Sequence, residues 1–412
     1  MKHLSLFLLL LIFTTTMFAQ RANKAYAFTG QVAGNFNWTD IREIDLSTGA
    51  ASSTFFENGK TNFSFADASG KKRTPVVVAS VANAEPNADA PTYSMVAAAA
   101  FDKVHNKLFF TPMKVGELRW LDLSSKNSTL KFYSLQSKLF GAGDLENEAN
   151  HLTRMVIAGD GKGYAITNDG SHVYRFTTGN HPEITDLGKL VDASSNSGVS
   201  IANKCTSWGG DMVSDVNGKL YLFTAAQHVF KIDLNTLVAT YAGHIKDLSP
   251  TFSVNGAAVD NDDNVIISSA NTFEGFYKVN VKDLSTSKLN TTGQVFNASD
   301  LANGNLLFEN SKAGVAKLPS TDVIENDHIA LYPNPVISSQ FKVTFNGQKP
   351  GKYTVSLSDL QGRLIKHEQV NLKSLNQTEN ISLSKKPSNG MYLIKVLDAN
   401  NQAVFSNKVV VE

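Results

Sequence analysis

The chain has 412 residues, a formal net charge of +1 and 42% hydrophobic residues, with 25 Phe and 11 Tyr. That is enough apolar material for two or three packed domains, and it argues against a disordered chain. The balanced charge supplies no field for nucleic acid or an anionic bilayer, and the sharpest basic run, Lys71-Lys72-Arg73, lies among Gly, Ser and Asp as a solvated loop does.

The first segment reads as a targeting sequence. Lys2 and His3 precede an apolar run over residues 4–13, too short to span a bilayer but within the ~7–15 residues of a signal-peptide core. Ala19 suits the cleavage position, so residues 1–19 are expected to be removed as a signal peptide. No cysteine follows the apolar run, which sets aside a lipid-anchored lipoprotein, and no later stretch is apolar enough to cross a membrane. Cys205 is the only cysteine, so no intramolecular disulfide can form. Its neighbours, "NKCTSWGG", include no histidine, and a small buried thiol is expected there.

Residues 20–319 are built from a repeated unit. "NKAYAFT" (23–29), "NKLFFT" (106–111), "GKGYAIT" (161–167), "GKLYLFT" (218–224), "DNVIISS" (263–269) and "GNLLFEN" (304–310) each place an apolar run after a tight turn, as a strand does. "REIDLSTG" (42–49), "RWLDLSSK" (119–126), "FKIDLNTL" (230–237) and "YKVNVKDL" (277–284) follow as further strands that end in polar turns. Ahead of the first element stand "MVAAAAFD" (95–102), "TRMVIAGD" (153–160), "GGDMVSD" (209–215) and "VNGAAVD" (254–260), strands of small residues suited to a crowded axis. Small inner, aromatic second and "IDL" third strands resemble the blades of the β-propeller superfamily. Counting second strands gives six blades. A seventh, hidden in an insertion at about 58–92, is the alternative. The first unit lacks its inner strand and the last its outer strands, so closure should pair the two ends of the domain in one sheet. The Asp-rich turn 260–264 departs from a calcium-loop pattern and reads as a strand connection.

A polar linker at 320–328 leads to a different pattern. "FKVTF" (341–345), "YTVSL" (353–357) and "YLIKV" (392–396) alternate with period two, as strands of a small antiparallel β-sandwich would. Gly351 and Tyr353 recur as Gly390 and Tyr392, and Asp359 as Asp398, each displaced by 39. With Tyr332, Pro333, Asn334 and Pro335 at its head, then "GKYTVSLSDLQGRLI" including Gly362, "SNGMYLIKV" and a terminal "NKVVVE", the segment 329–412 resembles the C-terminal sorting domain of the type IX secretion system. The prolines are expected to stiffen the entry into its first strand. The resemblance implies export to the periplasm, recognition by the type IX machinery at the outer membrane, and a mature protein that is secreted or displayed on the cell surface.

Ligands of propellers gather where the loops between blades converge on the axis. The matching positions are near Tyr93, His151, Arg154, Trp208, Asp211, Asn255 and Asn297, a set of aromatic, amide and charged groups suited to a glycan or peptide. His172 and His228 hold the same place in consecutive units, and Asp40 and Glu117 in the first two. Their types suit zinc or iron, but they lie too far from the axis to share an ion, so no metal and no cofactor is expected. Glu146 and Glu148 are close in sequence, yet a loop is a poor source of the fixed separation that paired catalytic carboxylates need. No nucleophile elbow, His-Glu-x-x-His or phosphate loop occurs. A non-catalytic binding protein is the first reading; a secreted propeller lyase, lactonase or glycan hydrolase is the second.

Overall fold

The structure is a computed structural model and describes residues 23–73, 90–93, 95–124, 129–140, 143–309, 328–359, 364–383, 385–399 and 403–411. The expected signal peptide and nearly all of the expected linker lie outside the described residues. The chain divides into two compact units, Met1–Ser311 and Lys312–Glu412.

In the first unit the described residues form five sheets, each built on four antiparallel strands. Blade one contains Ala298–Ala302, Lys24–Thr29, Asp40–Asp45 and Ala51–Phe56 from inside out. Blade two contains Val96–Asp102, Lys107–Pro112, Glu117–Asp122 and Leu130–Gln136. Blade three contains Leu152–Ile157, Gly163–Thr167, Val173–Phe176 and Ile184–Asp186. Blade four contains Asp211–Ser214, Lys219–Phe223, His228–Asp233 and Val238–His244, and blade five Gly256–Val259, Val265–Ser268, Tyr277–Val279 and Thr286–Lys288. The inner strands of blades one to five pack each against the next, and the fifth against the first, closing a ring. This is a β-propeller.

Among the described residues the expected six blades number five, because the closing sheet is counted twice in the sequence. Its inner strand, Ala298–Ala302, pairs with Lys24–Thr29 in the register Tyr26↔Ala302 and Ala27↔Leu301. The run at 304–310 is therefore not a new second strand, since that place is already filled from the N-terminal end. Instead Leu307 bridges to Asp215 of blade four, exchanging hydrogen bonds with Ser214 and Val216. Of the insertion at 58–92, Phe63–Asp67 adds to the outer edge of blade two, parallel to Leu130–Gln136. A short strand, Val191–Asp192, does the same for blade four. The remainder of the insertion, the alternative place for a seventh blade, lies largely outside the described residues.

Period-two alternation distributes each strand between two neighbours. Phe110 and Leu108 join Phe28, Ile41 and Phe56 in the wedge between blades one and two, whereas Phe109 and Trp120 meet Ala165, Tyr174 and Phe176 between blades two and three. Equivalent apolar wedges fill the other three gaps. A residue without a side chain is required at Gly163, because its partner across the ladder is Phe176 and a Cβ there would lie 2.0 Å from that ring. The small residues of the inner strands act similarly. A Cβ on Gly256 would stand 2.9 Å from the Asp300 backbone of the next blade.

Aspartates at the ends of inner strands hold the turns. Asp102 accepts from the Val104 and His105 N–H groups, Asp215 from Asn217 and Lys219, and Asp260 from Asp262 and Asn264. The Asp-rich segment 260–264 is thus a strand connection. Cys205, expected to be buried, is exposed in the one-turn helix Lys204–Ser207.

The second unit is a β-sandwich. Ile329–Tyr332, Gln340–Phe345 and Gln377–Ser382 form one sheet; Leu364–Leu372, Gly351–Asp359, Gly390–Leu397 and Ala403–Val411 form the other. Phe341, Val343, Phe345, Val355, Ile394 and Val396 lie between them. Tyr332 ends the first strand rather than preceding it, so the two prolines occupy the bend that follows, and the peptide bonds before both are cis. This placement suits residues with no N–H to give a ladder. Asn334 Oδ1 accepts from the Val410 N–H (2.9 Å), and the Val336 N–H donates to Val410 O (2.7 Å), so the bend is stitched to the last strand.

The echo over 39 residues has a structural cause. Gly351 and Gly390 have φ of +156° and +154°, and two residues later Tyr353 and Tyr392 each donate a hydroxyl hydrogen bond to a carbonyl four residues back, Lys349 (3.0 Å) and Ser388 (2.8 Å). Both are tyrosine corners. Replacing Tyr392 by Phe keeps the buried ring and removes the bond, so the sandwich should lose about 0.5–1.5 kcal/mol. Denaturant unfolding of the chain reads this in the transition of the second unit, and an unchanged midpoint would mean that the bond contributes nothing.

Candidate functional site: the axial end of the propeller

The hairpins between second and third strands lie at the same end of each blade as the start of the inner strand. Thr29, for instance, pairs with both Ala298 and Asp40. The seven candidate ligand residues therefore belong to one end of the ring.

Arg154, on the inner strand of blade three, is fully buried. Its Nε donates to Gly209 O (3.1 Å), Nη1 to Thr167 O (3.2 Å) and Nη2 to Ser207 O. Burial pulls the guanidinium down to about 9, which leaves it charged at neutral pH. Asp211 opens the next inner strand and is also fully buried. It accepts from the Met212 N–H (2.7 Å) and, across the blade boundary, from the Ala257 N–H (2.7 Å). Asp300, which the sequence reading did not single out, makes the same kind of latch from blade one to the Ala99 N–H of blade two (2.9 Å). Burial pushes both carboxyls well above the carboxylate range. For Asp300 the charge of Asp211 adds to the effect, while for Asp211 three backbone N–H groups and Arg154 oppose it. Two carboxyls buried together titrate as a pair.

The other candidates surround this core. His151 turns Nε2 to Leu145 O (2.8 Å), and its carbonyl accepts from Asn168. Asn168, another residue not anticipated, receives Thr153 Oγ1 (2.7 Å) and the Gly209 N–H (2.9 Å) on one oxygen. His151 and Arg154 are thus joined in one network through Asn168 and Gly209. Trp208 is half-buried, donates from Nε1 to Ala202 O (3.0 Å) and lies 5.0 Å from Lys204 Nζ. Asn255 accepts from Ser253 Oγ (2.7 Å) and the Ala270 N–H (3.0 Å). Asn297 is buried with no partner on either side-chain polar atom, as is Asp300 Oδ1. Tyr93 is half-buried on the loop before blade two, with its N–H on Ala90 O. Phe36 and Phe273, in the hairpins of blades one and five, are 53% and 56% exposed at this same end.

The outer histidines and carboxylates are paired locally. His172 Nδ1 meets Asp186 (2.7 Å), His228 meets Tyr241 Oη (3.1 Å), Asp40 holds Arg42 (3.1 Å), and Glu117 holds Arg119 and Arg73 (2.8 Å each). Among the described residues no three His, Cys, Asp or Glu side chains gather as a metal site. Glu146 and Glu148 take separate lysines, Lys114 and Lys204. No helix among the described residues is long and apolar enough to cross a membrane.

In the second unit Tyr332 is exposed, with Thr344 Oγ1 donating to its hydroxyl (3.3 Å). Asp359 faces Tyr392 across the ladder, and Gly362 lies outside the described residues.

No curated protein matches the chain. Among solved structures, PorZ, a bacterial surface component of the type-IX secretion system of Porphyromonas gingivalis, is 16% identical with a TM-score of 0.31. The match covers 92% of this chain and 51% of PorZ, so the chain spans about half that protein's length. A streptogramin B lyase is 11% identical over 69% of this chain and 89% of its own, with a TM-score of 0.35. Virginiamycin B lyase from Staphylococcus aureus is 9% identical over 94% and 95%, with a TM-score of 0.32. Residues 330–412 match the family described as the secretion system C-terminal sorting domain. The second unit is therefore a sorting domain of the type IX secretion route, carried by a chain whose larger part is a β-propeller.

Proposed function

We propose that this is a secreted or surface-displayed, non-catalytic binding protein, delivered by its sorting domain and presenting the axial end of its propeller to a glycan or peptide. The observation that carries this reading is the division of labour at that end. Arg154 and Asp211 are sealed and committed to backbone partners, and Asp300 is sealed with one oxygen on the Ala99 N–H, whereas Trp208, Phe36 and Phe273 offer ring surface to solvent. An acid, base or nucleophile must reach its substrate. Aromatic faces beside amides need only stack and orient, which contributes about 0.5–1.5 kcal/mol per ring beyond burial.

A glycan and peptide array probed with the wild type, Trp208→Ala and Phe273→Ala tests it. Binding that both substitutions weaken about tenfold supports the reading, in line with two lost stacking contacts. Unchanged binding in both moves the ligand off this end. Turnover of any arrayed compound would replace the binding protein with a secreted enzyme.

A further inference from the structure

His228 and His244 stand directly opposite each other on adjacent strands of blade four. Their ring centres are 5.0 Å apart and their planes at 90°. His244 Nδ1 lies 2.7 Å from the carbonyl oxygen of Ile245, a contact that only a protonated Nδ1 can make. That bond fixes the tautomer and leaves the lone pair on Nε2. His228 Nδ1 lies 3.1 Å from Tyr241 Oη, which can accept in the same way. Burial, and then the neighbouring His244, hold His228 below the ordinary imidazole value. A bulge between Val229 and Phe230 adjoins the pair, and bulges re-aim side chains.

We propose that His228 and His244 form a two-imidazole site for a borderline divalent cation of the zinc type, with water in the remaining positions. Imidazole nitrogen is a preferred ligand of such ions. An ion ~2.0–2.1 Å from each Nε2 sits about 3.2 Å from each ring centre, so centres at the observed spacing subtend about 105°, close to tetrahedral. The Ile245 bond holds the His244 ring in place, so closing the chelate turns His228 about its broad second torsion and gives up its longer contact with Tyr241 Oη. Blade three supplies the contrast. His172 occupies the place of His228, but its ring is tied to the Asp186 carboxylate and has no histidine opposite.

Zinc chloride titrated calorimetrically into the tag-free, full-length chain should show one saturable site. Imidazole 15N resonances of His228 and His244 should move together. His228→Gln and His244→Gln should each weaken binding by at least about tenfold, and His172→Gln should leave it unchanged. No saturable binding, or affinity within about twofold of wild type in either variant of the pair, overturns the proposal. Should a variant fail to fold, the wild-type spectra decide: a shift of one ring without the other equally overturns it.

Discussion

A chain ending before residue 329 should fold its propeller and fail to leave the cell. The apolar wedges between blades draw on no described residue beyond Phe308, and the sandwich core on none before Ile329. Truncation therefore removes no side chain from any propeller wedge. The cut must spare residues 304–309, because Leu307 is hydrogen-bonded to blade four and Phe308 packs against Tyr221 with ring centres 6.2 Å apart. Cell fractionation should find the full chain outside and the truncated chain in the periplasm, with extracellular protein lost almost completely. Limited proteolysis of the retained protein should leave the propeller intact. Normal extracellular levels of the truncated chain would remove the sorting role from the second unit, and wholesale digestion would show that the propeller depends on it.

The propeller was legible because each blade repeats a local pattern: an aspartate-closed turn, an alternating strand, a second polar turn. The number of blades was not, since closure is long-range. Asn303 donates to the carbonyl of Lys24 across a separation of 279 residues, and no local pattern says that Asn305 and Lys24 compete for one place. The strands Leu364–Leu372 and Gln377–Ser382 were missed for another reason. With four exposed positions in the first and three in the second, they carry little of the periodicity that betrays a buried face.

At the axial end, position was read better than role. The sequence placed Arg154 and Asp211 near the axis, and the structure buries both there on adjacent inner strands. Their burial, however, follows from how tightly five inner strands crowd together, which residue types alone do not reveal. Asp300 had a signal that could have been used: a single charge in the otherwise small and apolar strand "ASDLA". His244 had none, because its relation to His228 exists only through strand register.

Replacing Asp300 by Asn should stabilise the propeller, and more so as pH rises. The folded values of Asp211 and Asp300 both lie above their ordinary value, chiefly through burial. Such groups contribute stability that is fully present below about pH 4, the unfolded value, and is lost as pH rises through the folded ones. Other carboxylates work in the opposite direction. Asp67 is held low first by the Ser69 hydroxyl and Asp283 by the Ser285 N–H, and their contribution is lost as pH falls. The wild-type profile alone therefore does not isolate the axial pair, but the difference between wild type and variant does. Asn keeps an oxygen for the Ala99 N–H and carries no charge to repel Asp211. The two proteins should unfold at similar temperatures near pH 4, with the variant more stable by about 1–3 kcal/mol near pH 8, at ~1.36 kcal/mol for each pH unit over which the folded carboxyl keeps a proton that the unfolded one has lost. At roughly 2–4 °C per kcal/mol for a unit of this size, thermal unfolding at several pH values resolves the effect. A constant gap at every pH would show that the carboxyl pair does not titrate in this range. A variant less stable at high pH would show instead that the ionised Asp300 is what latches blade one to blade two.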